Sequence, residues 1–162
     1  EQFRPGWITA AHTTLPLPGR QLVVAVDESV KYDCNQGEKR VWLIDIREER
    51  NPVIVSSCPV PEGDFCKRGL RFGPHNVHEM RPGSYQNENL IFVTYYNAGL
   101  RVFDIRNKFR PEEVGFFIPP APEGQKAPMF NDLYVDTDGL IYVSDRIKGG
   151  LYILEYTGPK IQ

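Results

Sequence analysis

The sequence is poor in the residues from which reactive sites are made. Its 162 residues include three cysteines, three histidines, two methionines and two tryptophans. The cysteines, Cys34, Cys58 and Cys66, are odd in number and show no metal-finger spacing. Free thiols in a reducing compartment are the favoured reading, with a Cys58–Cys66 loop disulfide as the alternative for an exported chain. That balance leans the location towards the cytoplasm. No apolar run approaches the ~20 residues of a membrane helix, so a helical membrane protein is not expected. No basic stripe exists either. The net charge is −2 with both signs mixed along the chain, which argues against a nucleic-acid partner. Nucleophile elbows, phosphate loops and kinase motifs are all missing, as is an amphipathic stretch of helical length. The sequence starts at Glu1, with neither an initiator Met nor a signal peptide, so a processed or excised chain is expected.

What is plentiful is turn chemistry. Gly and Pro each occur 14 times, against a hydrophobic content of 41%. Together these predict one globular domain, residues 1–162, built from short strands and many turns. A repeat organises it. One apolar strand reads Leu22–Val26, Leu90–Thr94 and Leu140–Ser144 in three successive copies. The next reads Val41–Ile46, Leu100–Ile105 and Leu151–Tyr156, each with an acid in its fifth position. The acids Asp45, Asp104 and Glu155 lie 59 and 51 residues apart. Propeller blades repeat at ~40–50 residues, and the excess falls in three polar loops, 28–39, 59–74 and 119–128.

The strands are β because they are short, rich in Val, Ile, Phe and Tyr, and bounded by Gly, Pro and Asn. Several are apolar on successive residues, so both of their faces are buried, as in a blade between two others. Pro52 and Pro111 precede Val53–Val55 and Val114–Phe117, which read as outer strands. The expected fold is therefore all-β, about three four-stranded β-propeller blades, with repeats near 7–60, 72–120 and 128–159. Three blades do not close a ring of ~4–8. A second polypeptide supplying the remaining blades, or self-association, is expected to cover the end faces.

The strands VWLID, LRVFD and LYILE resemble the LVIVD-repeat family of bacterial β-propellers. The segments HTTLPLPGRQLVVAVDE, FGPHNVHEMRPGSYQ, IFVTYYNAGLRVFDI and GGLYILEYTG look like the carboxy-terminal part of that family. The resemblance covers essentially the whole chain and implies further blades upstream. It implies a fold more firmly than an activity. A weaker similarity is to selenium-binding-protein-like propellers, which place histidines near the ring axis.

The histidines recur at one place in the repeat. His12 leads the first copy and His75 the second, Asn131 stands there in the third, and His78 follows His75 by three residues. First strands of propeller blades line the channel, so His12, His75, His78, Asn131 and Asp132 are the candidate metal ligands. The suspected ion is a divalent one: Zn, Cu or Fe for imidazole ligands, or Ca. Calcium comes from the similarity of Asn131-Asp132 to gluconolactonase- and paraoxonase-type propellers, where an Asn-Asp pair contributes to the ion site. The alternative is that the histidines only hydrogen-bond neighbouring loops. On a regular strand His75 and His78 point to opposite faces, so both reach one ion only if the backbone turns. Arg71, flanked by Arg68 and Arg81, is a candidate for holding an anionic substrate group, and Glu79 for a general base or a histidine's partner. The stretch Asp136–Gly139 reads as a turn, and Asp27, Asp45, Asp104 and Asp145 as ties at strand ends. The function expected is an axial metal-dependent small-molecule site with hydrolytic or oxidative chemistry. The alternative is a non-catalytic scaffold that binds a protein partner or ligand through its loop face.

Overall fold

Among the described residues, ten short strands follow from the alternation of β-branched and aromatic runs with Gly, Pro and Asn turns. The computed structural model describes residues 10–162, so the start of the first expected repeat, residues 7–9, lies outside it. Strands β1 (Ala11–Leu17), β2 (Leu22–Asp27), β3 (Val41–Asp45) and β4 (Val53–Ser57) form one antiparallel sheet in that order. A second sheet joins β5 (Leu90–Thr94), β6 (Leu100–Asp104) and β7 (Glu112–Phe117). A third joins β8 (Phe130–Val135), β9 (Leu140–Asp145) and β10 (Gly150–Glu155). The chain is all-β, and the described residues contain no α-helix, only a 3-10 turn at Pro18–Arg20.

Four regular strands per sheet were expected, and among the described residues only the first sheet has them. In the second, residues 75–78 run antiparallel along β5 without becoming a regular strand. The His75 N–H donates to the Thr94 carbonyl and the His78 N–H to that of Phe92, with a bridge between Val77 and Val93. The Thr94 hydroxyl oxygen accepts from the Asn76 N–H, which takes that donor out of the ladder. Among the described residues the third sheet has no outer strand after β10, where the chain leaves for Gly158 and Pro159, and Pro has no ladder donor. The tail turns back instead. Ile161 is buried, and its carbonyl accepts from the Asn87 side chain at 2.6 Å.

The second sheet is buried on both faces, which is why its strands are apolar without alternation. Ile91, Val93 and Phe103 face the first sheet, against Leu15, Leu17, Leu22, Val24, Val26 and Leu43. Leu90, Phe92, Leu100 and Val102 face the third, against Phe130, Val135, Ile141 and Val143. Burying a side chain of this size is worth about 1.5–3 kcal/mol, so these two layers are the main source of stability. Among the described residues nothing covers the far side of the third sheet in this way. Leu151 is 62% and Ile153 59% exposed there, beside Tyr134 and Leu140.

Carboxylates fasten the strand ends. Asp45 accepts from the Arg47 N–H and from Lys108 across the sheets, at 3.0 and 2.6 Å. Asp104 accepts from the Arg106 N–H, and Asp145 from the backbone of Met129, Ile147, Lys148 and Gly149. Asp27 differs from the backbone tie expected of it, since its Oδ2 accepts the Trp42 indole N–H at 2.9 Å. Asp136 closes the β8–β9 turn through the Asp138 and Leu140 N–H groups.

The Asn97–Gly99 turn between β5 and β6 depends on glycine twice over. Gly99 has φ 77°, and a Cβ there would stand 2.1 Å from the Phe117 carbonyl oxygen. Gly99→Ala is therefore expected to cost more than the ~1 kcal/mol of a left-handed alanine alone, at least about 2 kcal/mol in urea unfolding. A cost below that would mean the β6–β7 end shifts freely.

Candidate metal centre

The two sheet interfaces bring the leading strands to one edge. There the backbone leaves its regular pleat. The β1–β2 register shifts between Ala11 and Thr13, and the β8–β9 register between Phe130 and Asp132. His12 and Asn131, the equivalent positions in the repeat, are thus both bulge residues, a device that re-aims a side chain out of a strand's alternation. His75 lies between them. Its ring is 4.2 Å from that of His12, and its Nδ1 is 2.7 Å from the Asn131 carbonyl.

The third member is Glu28, which immediately follows β2. Folding the hairpin on Pro18–Arg20 sets Glu28 opposite Ala10, with its N–H on that carbonyl at 2.8 Å, and so beside His12. Among the described residues, His12, Glu28 and His75 bring three potential ligand atoms within 4.8 Å of one another. The Nε2 of His75 is 3.8 Å from Glu28 Oε1, and that of His12 is 3.9 Å from Oε2. These separations are too long for hydrogen bonds. Metal bonds of 2.0–2.2 Å separate neighbouring ligand atoms by about 3.0–3.4 Å, so the three groups have to draw in from separations of up to 4.8 Å to share an ion. The His75 side chain is 8% exposed, that of Glu28 20% and that of His12 34%, so the group opens to solvent on the His12 side.

Both rings are held by the nitrogen that faces away from Glu28. A carbonyl only accepts, so His75 Nδ1 carries the proton and Nε2 keeps its lone pair. Burial, outweighing the Asn131 contact and the Glu28 charge, lowers the His75 pKa, which keeps the ring neutral at pH 7. His12 Nδ1 lies 2.8 Å from the Thr13 hydroxyl, which in turn donates to the His75 carbonyl at 3.1 Å. The Thr13 hydroxyl also lies 3.0 Å from Asn76 Oδ1, and Asn76 Nδ2 donates to Asp132 Oδ1 at 2.9 Å. A hydroxyl that donates outward receives from His12, which leaves the His12 Nε2 lone pair towards Glu28 as well.

Glu28 is itself held. Its Oε1 accepts from Arg71 Nη1 at 3.0 Å and from the Tyr96 hydroxyl at 2.8 Å. Tyr96 has φ 43°, a left-handed conformation uncommon for an aromatic residue, fixed by its bridges to Phe72 and Phe130. Burial and then the Glu28 carboxylate push the Tyr96 phenol pKa up, so it stays a donor.

Of the residues expected from the sequence, the structure gathers His12, His75 and Arg71. Asn131 takes part through its carbonyl, and Asp132 orients Asn76 rather than joining a ligand cluster. His78 points into the interface between the second and third sheets. Its Nε2 is 3.0 Å from the Tyr85 carbonyl and its Nδ1 accepts from the Val135 N–H at 3.2 Å, so both ring nitrogens are used. Glu79 pairs with Arg81 at 2.6 Å on the surface. Glu28 and Tyr96 were not among the expected site residues. The signal for Glu28 was hairpin register, not a motif.

The cysteine readings are corrected. Cys34 is bonded to Cys66, and Cys58 is buried and free, its thiol pKa raised by burial. The odd count concealed a pair separated by 32 residues, joining two loops that only the fold brings together. Free thiols therefore no longer support a reducing compartment. The bond staples the loop after Glu28 to the loop before Arg71, assisted by the Asp33 N–H on the Leu70 carbonyl. Closing a loop of this length is worth about 3–4 kcal/mol. Reduction is expected to lower unfolding stability by about that amount, read by urea titration with and without dithiothreitol. A change below ~1 kcal/mol would show that the loops hold together without it.

A scan of protein-family models, a search of curated proteins and a search of solved structures each found no match to this chain.

His75 and His78 give the fold a pH dependence. Burial lowers both pKa values, so from about pH 6.5 downwards the unfolded chain takes up protons that the folded chain refuses. Stability is present above that pH and falls with acidification until the folded rings titrate too. The melting temperature is expected to drop between pH 7 and pH 5, and less in His78→Gln, whose amide can accept from Val135 and donate to Tyr85. An unchanged drop in that variant would assign the effect elsewhere.

Proposed function

We propose that His12, Glu28 and His75 hold a divalent transition metal at the axial edge of a β-propeller segment, where it serves small-molecule chemistry. The observation that carries this reading is the approach of two imidazole Nε2 atoms to one carboxylate, with both Nδ1 atoms engaged elsewhere. Two imidazoles and one carboxylate suit Zn, Fe or Cu better than Ca, which prefers six to eight oxygens. When bound, such an ion supplies a Lewis-acid or redox centre with open positions, for hydrolytic or oxidative chemistry. The chain's own residues then divide the remaining work. Asn131 and Thr13 fix the ring tautomers, Tyr96 holds the carboxylate, and the exposed His12 side leaves a path for a small molecule.

The propeller reading rests on the similar strand order of the three sheets and on matched bulges. The β3–β4 register shifts at Leu43/Ile44 and the β6–β7 register at Val102/Phe103, the same position of the repeat. The resemblance to LVIVD-repeat proteins points the same way. Exposed Leu151 and Ile153 favour a companion reading, in which blades from a second polypeptide, or from further copies, cover the third sheet and a scaffold role accompanies the site or replaces it.

Metal content measured after incubation with Zn²⁺ or Fe²⁺ and desalting tests the site. About one ion per chain is expected, falling at least about tenfold in the His12→Ala/His75→Ala double variant and in Glu28→Gln. Equal loading in all three proteins would overturn the assignment.

A further inference from the structure

Arg71 occupies the carboxylate that the metal would need. Among the described residues, both of its hydrogen bonds leave from Nη1, one to Glu28 and one to Tyr96. Its Nε is buried without a partner. A guanidinium offers its Nε and an Nη as a planar fork matched to a carboxylate, and here that fork is unused. Leaving a buried donor unpaired costs free energy, so the arrangement favours any change that gives Nε an acceptor. The Tyr96 ring lies under the guanidinium, 5.6 Å from centroid to Cζ, and gives it a face to turn against.

We infer that Arg71 is the stand-in cation of this centre: metal binding draws Glu28 away from Arg71, and the released guanidinium then receives the carboxylate group of a small substrate beside the ion. This rests on the metal reading above and names the substrate class for it, a small carboxylate. The charges match in both states. Without the ion, Arg71 compensates Glu28; with it, the ion does so and Arg71 compensates the substrate. Arg71 is thus a competitor for the metal and a receptor for the anion, two roles that a purely structural ion pair would not have.

The test uses Co²⁺, whose visible spectrum reports both events, and acetate as the carboxylate probe. In the wild-type protein, Co²⁺ is expected to bind first and acetate then to shift the spectrum saturably. Arg71→Gln is expected to bind Co²⁺ about tenfold more tightly and acetate at least about tenfold more weakly. Arg71→Lys keeps the charge without the fork, so it should retain weak metal binding and still fail to restore acetate. Circular dichroism of the variants verifies that they fold. Weaker Co²⁺ binding in Arg71→Gln would make Arg71 a support of the bound state and overturn the exchange. Undiminished acetate binding in that variant would overturn the receptor role. If neither the wild type nor Arg71→Gln binds Co²⁺, the metal reading itself fails and this inference falls with it. Binding by Arg71→Gln alone would be the exchange in its extreme form.

Discussion

Everything in this chain depends on one sheet having no polar face. Strands β5 and β6 place apolar side chains on both sides, and an antiparallel sheet of that kind must be covered twice. The first and third sheets provide the cover. Once they stack, their leading strands lie along one edge of the assembly with residues 75–78 between them, so His12, His75 and Asn131 meet without any local motif to bring them together. The site is a by-product of layer packing in the sense that no single loop encodes it. Its contents are nonetheless specific, because bulges at His12 and Asn131 break the alternation just where the three edges approach.

That origin explains what could be read in advance. The strand runs, the outer strands after Pro52 and Pro111, the turn at Asp136–Gly139 and the two-sided burial of Leu90–Thr94 were legible, because each is a local pattern of residue type and period. The pairing of His12 with His75 was legible through the repeat alone. The rest depended on register and on loop paths. Glu28 enters because a hairpin folds back on Pro18–Arg20. Tyr96 enters because a left-handed residue turns its ring under Arg71. His78 drops out because three residues along an extended segment reverse the side-chain direction, which leaves it to bridge Tyr85 and Val135. The disulfide was read wrongly because spacing along the chain says nothing about two insertions that fold over the same edge.

The same geometry separates positions that have to be apolar from those free to carry chemistry. Leading-strand residues that point between sheets, such as Leu15, Leu17 and Val77, are buried and belong to the core. Those displaced by bulges are released from it and can be imidazole, carboxamide or carbonyl. A histidine at such a position does not displace a core side chain, whereas a polar residue at Leu15 would lose its burial and gain an unpaired group. Reactive groups therefore gather at the irregular edge, and the regular strands behind it stay apolar.

Glu28 is the point at which packing and chemistry meet. A half-buried carboxylate is tolerated when positive or donating groups hold it, and here Arg71 and Tyr96 do. Both hydrogen-bond it, while the two imidazoles stand off at 3.8 and 3.9 Å and leave a gap. If the role were purely structural, the simplest arrangement would let both rings donate to Glu28. Instead His75 spends its proton on Asn131, and the Thr13 chain draws that of His12 away from the carboxylate. Lone pairs, not protons, turned towards a carboxylate leave a gap that a cation would fit, and the loops carrying Glu28 and Arg71 are stapled by Cys34–Cys66.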